Sequence, residues 1–340
     1  MRGCTLKFQL LKMNFRKLFA IIAVPVLAAC FTSCKDDEET TEYLVLDGTL
    51  NFEITPYIEQ KATLTLTPGG VSHPDGESLG YAWKVSTPME KPDTVTTENG
   101  SFTYTFPDTL KTYTVYCYAF AEGYSSSSVS KTCTVVKGGV DGSITNIDYS
   151  NAKTEQIDGK TCYYVTAAGL DWMCRNIADN SAGVPYMHCE AMNDVFGRYY
   201  SYEEAMNICP EGWRLPTNDE WTAFAETAGS SPAAALMGNA YFNEELMWEY
   251  WPKVGEITNA TGLGAIPVGF VMLGTKENGI YPTALFKGAK EYSMFWTSTP
   301  SDEAGMAYYR YLICDQSVLM TGKGDTKSFG ASVRCVRITE

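Results

Sequence analysis

Alternating apolar and polar side chains characterise the chain between residues 44 and 138. In residues 62–67 alanine and leucine alternate with threonine, and residues 81–85 repeat this period of two. Glycine and proline residues separate such segments at intervals typical of short antiparallel strands. We therefore expect residues 44–138 to form an all-β sandwich that ends near Gly138 and Gly139.

A helical period replaces this alternation after residue 200. Ser201 with Glu204, and Thr217 with Glu220, each form the pattern of a capping box at a helix start. Behind the second box, apolar side chains recur at the i, i+3, i+4 and i+7 positions of an amphipathic helix. We expect three helices, over residues 202–209, 218–228 and 232–238.

Strand-like segments return nearer the C-terminus, around residues 265–273, 294–299, 307–314 and 331–338. Helices followed by short strands are typical of an α+β domain. We expect that domain to occupy residues 140–340, behind the sandwich.

The N-terminal 33 residues carry a targeting signal. An apolar run over residues 18–31 follows a basic segment, and it is too short to span a membrane. Leu-Ala-Ala-Cys at residues 27–30 resembles a bacterial lipobox, and the acidic tract behind Cys34 resembles the surface-export signal of Bacteroidetes lipoproteins. The resemblance implies a lipid-anchored protein of the outer membrane that faces the cell exterior. We predict a lipoprotein signal peptide over residues 1–33, acylation of Cys34 with Cys30 as the alternative, and an acidic tether over residues 34–43.

Composition excludes one class of partner. The chain is 45% apolar, which is enough for real cores, and its net charge is −14. Because residues 1–33 hold five basic and no acidic side chains, the part behind them carries −19. Such a charge repels nucleic acids, so we expect no nucleic-acid partner.

Cysteines indicate an oxidising compartment. Eight of them follow Cys34, and an even number in an exported chain favours disulfides. Cys117 and Cys133 fall on the last two predicted strands of the sandwich, which suggests a cross-strand disulfide. Two weaker predictions pair Cys162 with Cys174 and Cys189 with Cys314.

Two families share motifs with this chain. Tyr81-x-Trp83 and residues 102–119 resemble PKD and related immunoglobulin-like domains, with Trp83 as the core tryptophan. Residues 197–217 (Gly-Arg-Tyr-Tyr-Ser-Tyr through Gly-Trp-Arg-Leu-Pro-Thr) resemble the signature of the Fibrobacter succinogenes major paralogous domain, known as FISUMP. Further blocks of that family are residues 158–160, 172–173, 295–299 and 332–337.

The FISUMP resemblance covers nearly all of residues 155–338 and implies a structure. The family is similar to C-type-lectin-like and formylglycine-generating-enzyme-like folds, so it implies an α+β fold for residues 140–340. It also implies a disulfide between Cys209 and Cys335, and framework roles for Trp213, Trp221 and Trp296.

No catalytic motif is evident. Formylglycine-generating enzymes hold copper with two closely spaced thiols, whereas Cys314 and Cys335 lie far apart in sequence and Cys335 is the implied disulfide partner. Hydrolase and phosphate-loop motifs are missing. We expect no enzyme activity, no metal and no cofactor, although loop carboxylates and amides leave a calcium site open as an alternative. These side chains are Asn243, Glu244, Glu245, Asn259 and Asn278.

The most suggestive segment for binding is residues 241–251, which combines aromatic and acidic side chains. We predict a ligand-binding role for Tyr241, Trp248, Tyr250 and Trp251; the alternative is that Trp248 and Trp251 pack in the core. These observations favour a cell-surface, adhesin-like module that binds an extracellular glycan or protein. The alternatives are an assembly component of a surface complex or pilus and an enzyme of the formylglycine-generating type.

Overall fold

A computed structural model describes residues 43–88, 91, 93–97, 100–248 and 255–339. Residues Tyr43–Glu340 form one compact unit. Cys30, Cys34, the signal peptide and most of the tether lie outside the described residues, so the lipid anchor stays a prediction. No helix in the described ranges is long and apolar enough to cross a membrane.

The first part of the unit consists of strands. They are β1 (Leu44–Val45), β2 (Asp47–Asn51), β3 (Tyr57–Glu59), β4 (Thr63–Leu66), β5 (Gly69–Ser72), β6 (Gly80–Ser86), β7 (Asp93–Thr97), β8 (Phe102–Thr105), β9 (Thr112–Phe120), β10 (Tyr124–Ser125) and β11 (Ser127–Val136). Five of them form a sheet in the order β3-β11-β9-β6-β7, and three two-stranded pairs, β1-β10, β2-β5 and β4-β8, complete the region. Trp83 is fully buried in their shared core, which is the role that the resemblance to immunoglobulin-like domains implied for it.

The second part mixes short helices with small sheets. Its strands are β12 (Ile144–Thr145), β13 (Lys153–Ile157), β14 (Lys160–Ala167), β15 (Leu170–Met173), β16 (Val184–Pro185), β17 (Arg198–Tyr199), β18 (Tyr241–Phe242), β19 (Glu245–Leu246), β20 (Phe270–Leu273), β21 (Ala284–Lys287), β22 (Tyr292–Pro300), β23 (Met306–Ile313), β24 (Met320–Asp325), β25 (Phe329–Gly330) and β26 (Val336–Ile338). Its α-helices are α1 (Asn193–Phe196), α2 (Tyr202–Ala205), α3 (Asn218–Thr227) and α4 (Pro232–Leu236), and 3₁₀ turns cover Tyr186–His188 and Glu190–Met192.

Three sheets of this part position the sites described below. One has the strand order β13-β14-β15-β26, the second β21-β20-β25 and the third β22-β23-β24. In the first sheet the last strand pairs with β15, so the C-terminal segment returns to the start of this part.

The predicted α+β, C-type-lectin-like fold is wrong. The structure is 44% strand and 10% helix, and its strands form many small sheets. Both capping boxes are present, with side-chain and backbone hydrogen bonds in each. However, a capping box fixes where a helix begins, not how long it runs. Helix α2 ends at Ala205 rather than near Cys209. The backbone of Arg214 then forms an isolated antiparallel β-bridge with Val336.

The predicted Cys117–Cys133 disulfide is also wrong. In the β9-β11 ladder Cys117 lies opposite Val129, whereas Cys133 lies opposite Tyr113. The two cysteines are thus offset by four residues, or about 14 Å at 3.4 Å per residue, and a disulfide needs Cα atoms within about 7 Å. Both are buried free thiols.

The weaker pairings fail for related reasons. Cys174 lies opposite Tyr163 and donates its backbone N–H to that residue, so the side chain of neighbouring Cys162 points to the other sheet face. Cys189 and Cys314 belong to different core clusters.

The disulfide implied by the family resemblance is present. Cys209 and Cys335 are bonded across 126 residues of sequence, with Cα atoms 5.8 Å apart. Closing a loop of that length contributes about 5 kcal/mol on the chain-entropy model. The bond ties the segment after α2 to the segment before β26.

Candidate functional site

The residues predicted to bind ligand do not form an exposed surface in the described part of the chain. Trp248 is only 2% exposed and packs in a core cluster with Trp221 and Phe295. Tyr241 is half-buried in β18, and Tyr250 and Trp251 lie outside the described residues. The binding role of this group stays a prediction, and Trp248 has no exposed face to offer.

A different group of aromatic side chains forms a closed ring at the surface. Phe270, Tyr292, Tyr311, Tyr309 and Phe329, in that order, contact one another around the ring. Their successive centroid distances are 6.2, 6.3, 5.7 and 4.7 Å, and Phe329 closes the ring to Phe270 at 5.4 Å. We call these five residues the aromatic patch. All but Phe329 are half-buried, so their outer edges face solvent.

Strand alternation places the patch. Tyr309 and Tyr311 share one face of β23, and Tyr292 lies on the same side of β22, because every second residue of a strand points the same way. Phe270 and Phe329 come from the neighbouring β20 and β25. Two exposed apolar side chains, Met272 at 37% and Leu285 at 58%, extend the surface along β20 and β21.

Glycines in β24 leave room for the rings. Gly322 pairs directly with Tyr309, and a Cβ atom at Gly322 would overlap the tyrosine ring. A Cβ atom at Gly324 would meet Phe329 and Trp296 in the same way. Trp296 is fully buried beneath the patch, 5.3 Å from Phe329 and 6.3 Å from Tyr309.

The tyrosine hydroxyls of the patch are available. Tyr292, Tyr309 and Tyr311 make no hydrogen bond through their hydroxyls to any described residue, whereas Tyr199 and Tyr202 donate to backbone carbonyls at 2.5 and 3.0 Å. Partial burial raises the pKa of Tyr292 and of Tyr309. The hydroxyls of Tyr292 and Tyr309 are therefore protonated at neutral pH and can donate as well as accept.

Sequence reasoning missed the patch. Its signal was the Tyr309-x-Tyr311 alternation on a predicted strand, together with Gly322-x-Gly324 on the next one. Neither pattern by itself shows that Phe270 and Phe329 close the ring.

A cavity of about 970 Å³ is the second feature that a ligand could use. It lies where residues Glu59, Gln60 and Val136 of the first part meet the second part. Arg175 and Arg334 line it, and no residue of the aromatic patch does.

A metal centre is not assembled in the described ranges, because no three His, Cys, Asp or Glu side chains lie close enough to share an ion. Of the loop residues considered for calcium, Glu245 pairs instead with Lys290 at 3.3 Å, and the Asn243 side chain donates to the Val135 carbonyl at 2.9 Å. The arrangement can bind ligands through aromatic faces, hydroxyls and guanidinium groups.

Comparison with known proteins identifies the family. The sequence profile of the Fibrobacter succinogenes major domain (Fib_succ_major) matches residues 149–337, which include the aromatic patch and both arginines of the cavity. No curated protein matches the chain. Since the profile covers more than half of the sequence, the protein belongs to the Fibrobacter succinogenes major domain family.

Proposed function

We propose that this protein is a non-catalytic binding module, lipid-anchored at the outer membrane and facing the cell exterior, that binds an extracellular glycan through the aromatic patch. The observation that carries the proposal is the group of three half-buried tyrosines whose hydroxyls lack partners in the described chain. Aromatic faces pack on the apolar faces of sugar rings, while hydroxyls exchange hydrogen bonds with sugar hydroxyls.

The setting of the patch supports a rigid binding surface. The rings are held by three strands of one sheet, two strands of another and the buried Trp296. Side chains that are already ordered lose less conformational entropy when a ligand binds. A pre-formed surface of this kind suits a flat ligand such as an oligosaccharide.

Cysteine chemistry supports a role without catalysis. Cys335 is bonded to Cys209, and an oxidised cysteine supplies no thiolate ligand for copper. Burial raises the pKa of Cys174 and of Cys117 to about 12, which makes both poor nucleophiles at neutral pH.

The test of glycan binding is an array screen of the full-length chain beside two variants. Tyr309→Ala/Tyr311→Ala removes two of the five rings of the patch. Tyr308→Ala is the matched control, because Tyr308 lies on the same strand but on the opposite face, against Lys323. We expect selective glycan binding that is lost in the double variant and kept in the control.

A blank array with folded protein would reject the glycan and favour the assembly role with a protein partner. Glycan binding that survives in the double variant would show that the binding site lies outside the aromatic patch.

The lipid anchor has its own test. Cells that express the wild-type chain, Cys34→Ser or Cys30→Ser are fed a clickable fatty acid, and labelling of the protein is measured. We expect labelling to be lost in Cys34→Ser and kept in Cys30→Ser. The opposite result would assign the anchor to Cys30. An unlabelled wild-type chain would reject the anchor.

A further inference from the structure

The cavity between the two parts contains a buried positive charge without a carboxylate partner. Arg334 is 1% exposed, and its guanidinium donates only to neutral oxygens. The acceptors are Asn176 Oδ1 at 2.7 Å and the carbonyls of Met173, Leu263 and Gly264 at 3.1, 3.0 and 3.4 Å. Of these bonds, the one from Nη2 to Gly264 is the longest, and it is the only bond that Nη2 makes within the described chain.

A second guanidinium lines the same cavity. Arg175 donates to the Asp194 backbone carbonyl at 2.7 Å and forms no ion pair with a described residue. Burial, with a smaller contribution from repulsion by Arg175, lowers the pKa of Arg334 to about 10. Arg334 is still charged at neutral pH, so two guanidinium groups line one cavity.

Three other described arginines are neutralised by carboxylates. Arg198, Arg214 and Arg337 each form an ion pair with a glutamate. Arg310 has no ion pair either: burial lowers its pKa, although the nearby Asp219 carboxylate opposes this. Because buried charges in proteins are generally paired, the Arg334 guanidinium, with the unpaired Arg175 lining the same cavity, calls for a counterion.

Two partial compensations within the protein leave the charge unbalanced. The Arg334 guanidinium lies 5.5 Å from the centre of the Phe295 ring, which is a cation–π distance. Tyr149 also lies near both guanidiniums, because each of them lowers the pKa of this tyrosine while burial, the larger effect, raises it. Neither an aromatic face nor a protonated phenol carries a negative charge.

The carboxylates that line the cavity stay at its rim. Asp158, Asp179, Asp194 and Glu59 are all exposed. Asp194 is already paired with Lys160 at 3.0 Å, so it is not available to the arginines. The cavity is therefore cationic at depth, with mixed charge at the entrance.

We propose that this cavity is a second ligand site, which binds the anionic group of a small ligand, a carboxylate or a sulfate ester, between Arg175 and Arg334. The volume admits a ligand of sugar size. Arginine forks match the geometry of carboxylate and sulfate oxygens, and Tyr149 can donate a further hydrogen bond. No residue of the aromatic patch lines the cavity, so the proposed anion site does not depend on glycan binding by the patch.

The acidic surface of the protein does not prevent the binding of an anion in the cavity. Charges further away than about 8 Å are largely screened at physiological ionic strength, whereas two guanidiniums in contact with the ligand are not. Binding should therefore weaken only modestly with added salt.

The experiment is isothermal titration of the full-length chain with three probes: sodium glucuronate, glucose 6-sulfate and neutral glucose. The first two separate a carboxylate from a sulfate, and the third tests the need for charge. We expect one of the anions to bind and glucose not to bind.

Variants locate the site. Arg175→Gln removes the less buried guanidinium and should weaken binding about tenfold or more, since a charged hydrogen bond is lost. Tyr149→Phe should weaken it less. Lys84→Gln removes one positive charge from β6, which contributes no residue to the cavity lining, and should leave affinity unchanged. Arg334 is not substituted, because the loss of its four hydrogen bonds would also destabilise the fold.

Three results would overturn the proposal: no heat with either anion while the protein is folded, equal affinity for glucose and for the anion that binds, or equal weakening by Arg175→Gln and Lys84→Gln. Thermal unfolding of each variant is the check that the protein is folded.

Discussion

At the scale of single residues, Gly322 controls the shape of the aromatic patch. Its φ angle is not in the left-handed region, so glycine is required here because it has no side chain. The Tyr309 ring occupies the space that a Cβ atom would take, and from there it stacks on Phe329 at 4.7 Å and 22°.

Gly322→Ala should therefore displace the Tyr309 ring. We expect the free energy of unfolding to fall by about 1–3 kcal/mol, as for other overpacked sites, and the affinity of the patch for its ligand to fall as well. Urea denaturation measures the first effect. Gly69→Ala is the control, because nothing lies within 4 Å of its added Cβ atom. Equal urea midpoints for the two variants would contradict the steric explanation.

Single residues were predictable from sequence where packing follows local pattern. Trp83, Trp221 and Trp296 are fully buried, as their positions in strand, helix and family motifs indicated. Trp248 was the ambiguous case, and the structure gives the core alternative. An aromatic side chain beside acidic residues looks the same in sequence whether its faces are covered or free.

At the scale of elements, capping boxes show what sequence can and cannot specify. Thr217 and Glu220 satisfy each other's backbone N–H groups at the start of α3. The Arg214 guanidinium, which donates two hydrogen bonds to Glu220, holds the pKa of that carboxyl below its usual range, although burial opposes this.

This depressed pKa gives stability a defined pH dependence. The contribution of Glu220 is present above the pKa of an unfolded glutamate, near 4.3, and is lost as the pH falls through the lower folded value. We expect Glu220→Gln to be less stable than wild type by up to about 1 kcal/mol at pH 7. The difference should shrink towards pH 3, as measured by thermal unfolding. A difference that stays constant over this range would show that the charge is irrelevant.

Helix starts were thus predictable, whereas helix lengths and sheet partners were not. The periodic segment after Ser201 continues to Cys209, but the disulfide of Cys209 and the bridge of Arg214 to Val336 divert the chain. Likewise, the Tyr309-x-Tyr311 alternation marks a strand, but the ring closes only through β20 and β25, which are distant in sequence. Those contacts depend on tertiary packing.

At the scale of the whole molecule, the two parts share a packed junction. Tyr57 of β3 contacts Tyr186 at 5.8 Å and Phe242 at 6.2 Å. Desolvation at this junction raises the pKa of Tyr57 to about 12. Thr55 and Cys189 also lie within hydrogen-bond distance, at 3.2 Å.

Tyr57→Ala should uncouple the two parts. We expect wild type to unfold in one calorimetric transition, and the variant to lose about 2–4 kcal/mol and to show two transitions. Tyr116→Ala is the control, since Tyr116 lies half-exposed on β9 within the first part. Two transitions already in wild type, or none gained in Tyr57→Ala, would show that the junction does not couple the parts.

The parallel pairing of β3 with β11 has a mechanical consequence. Thr134 donates to the Pro56 carbonyl at 2.8 Å and Gln60 to the Val136 carbonyl at 3.0 Å, while β11 continues directly into the second part. Because the strands are parallel, a pull on the chain before β3 and on the chain after β11 acts at opposite ends of the pair. Such a force loads the hydrogen bonds in shear, together, rather than peeling them apart one after another. A protein held at its N-terminal side and loaded through its second part would therefore resist extension at this strand pair.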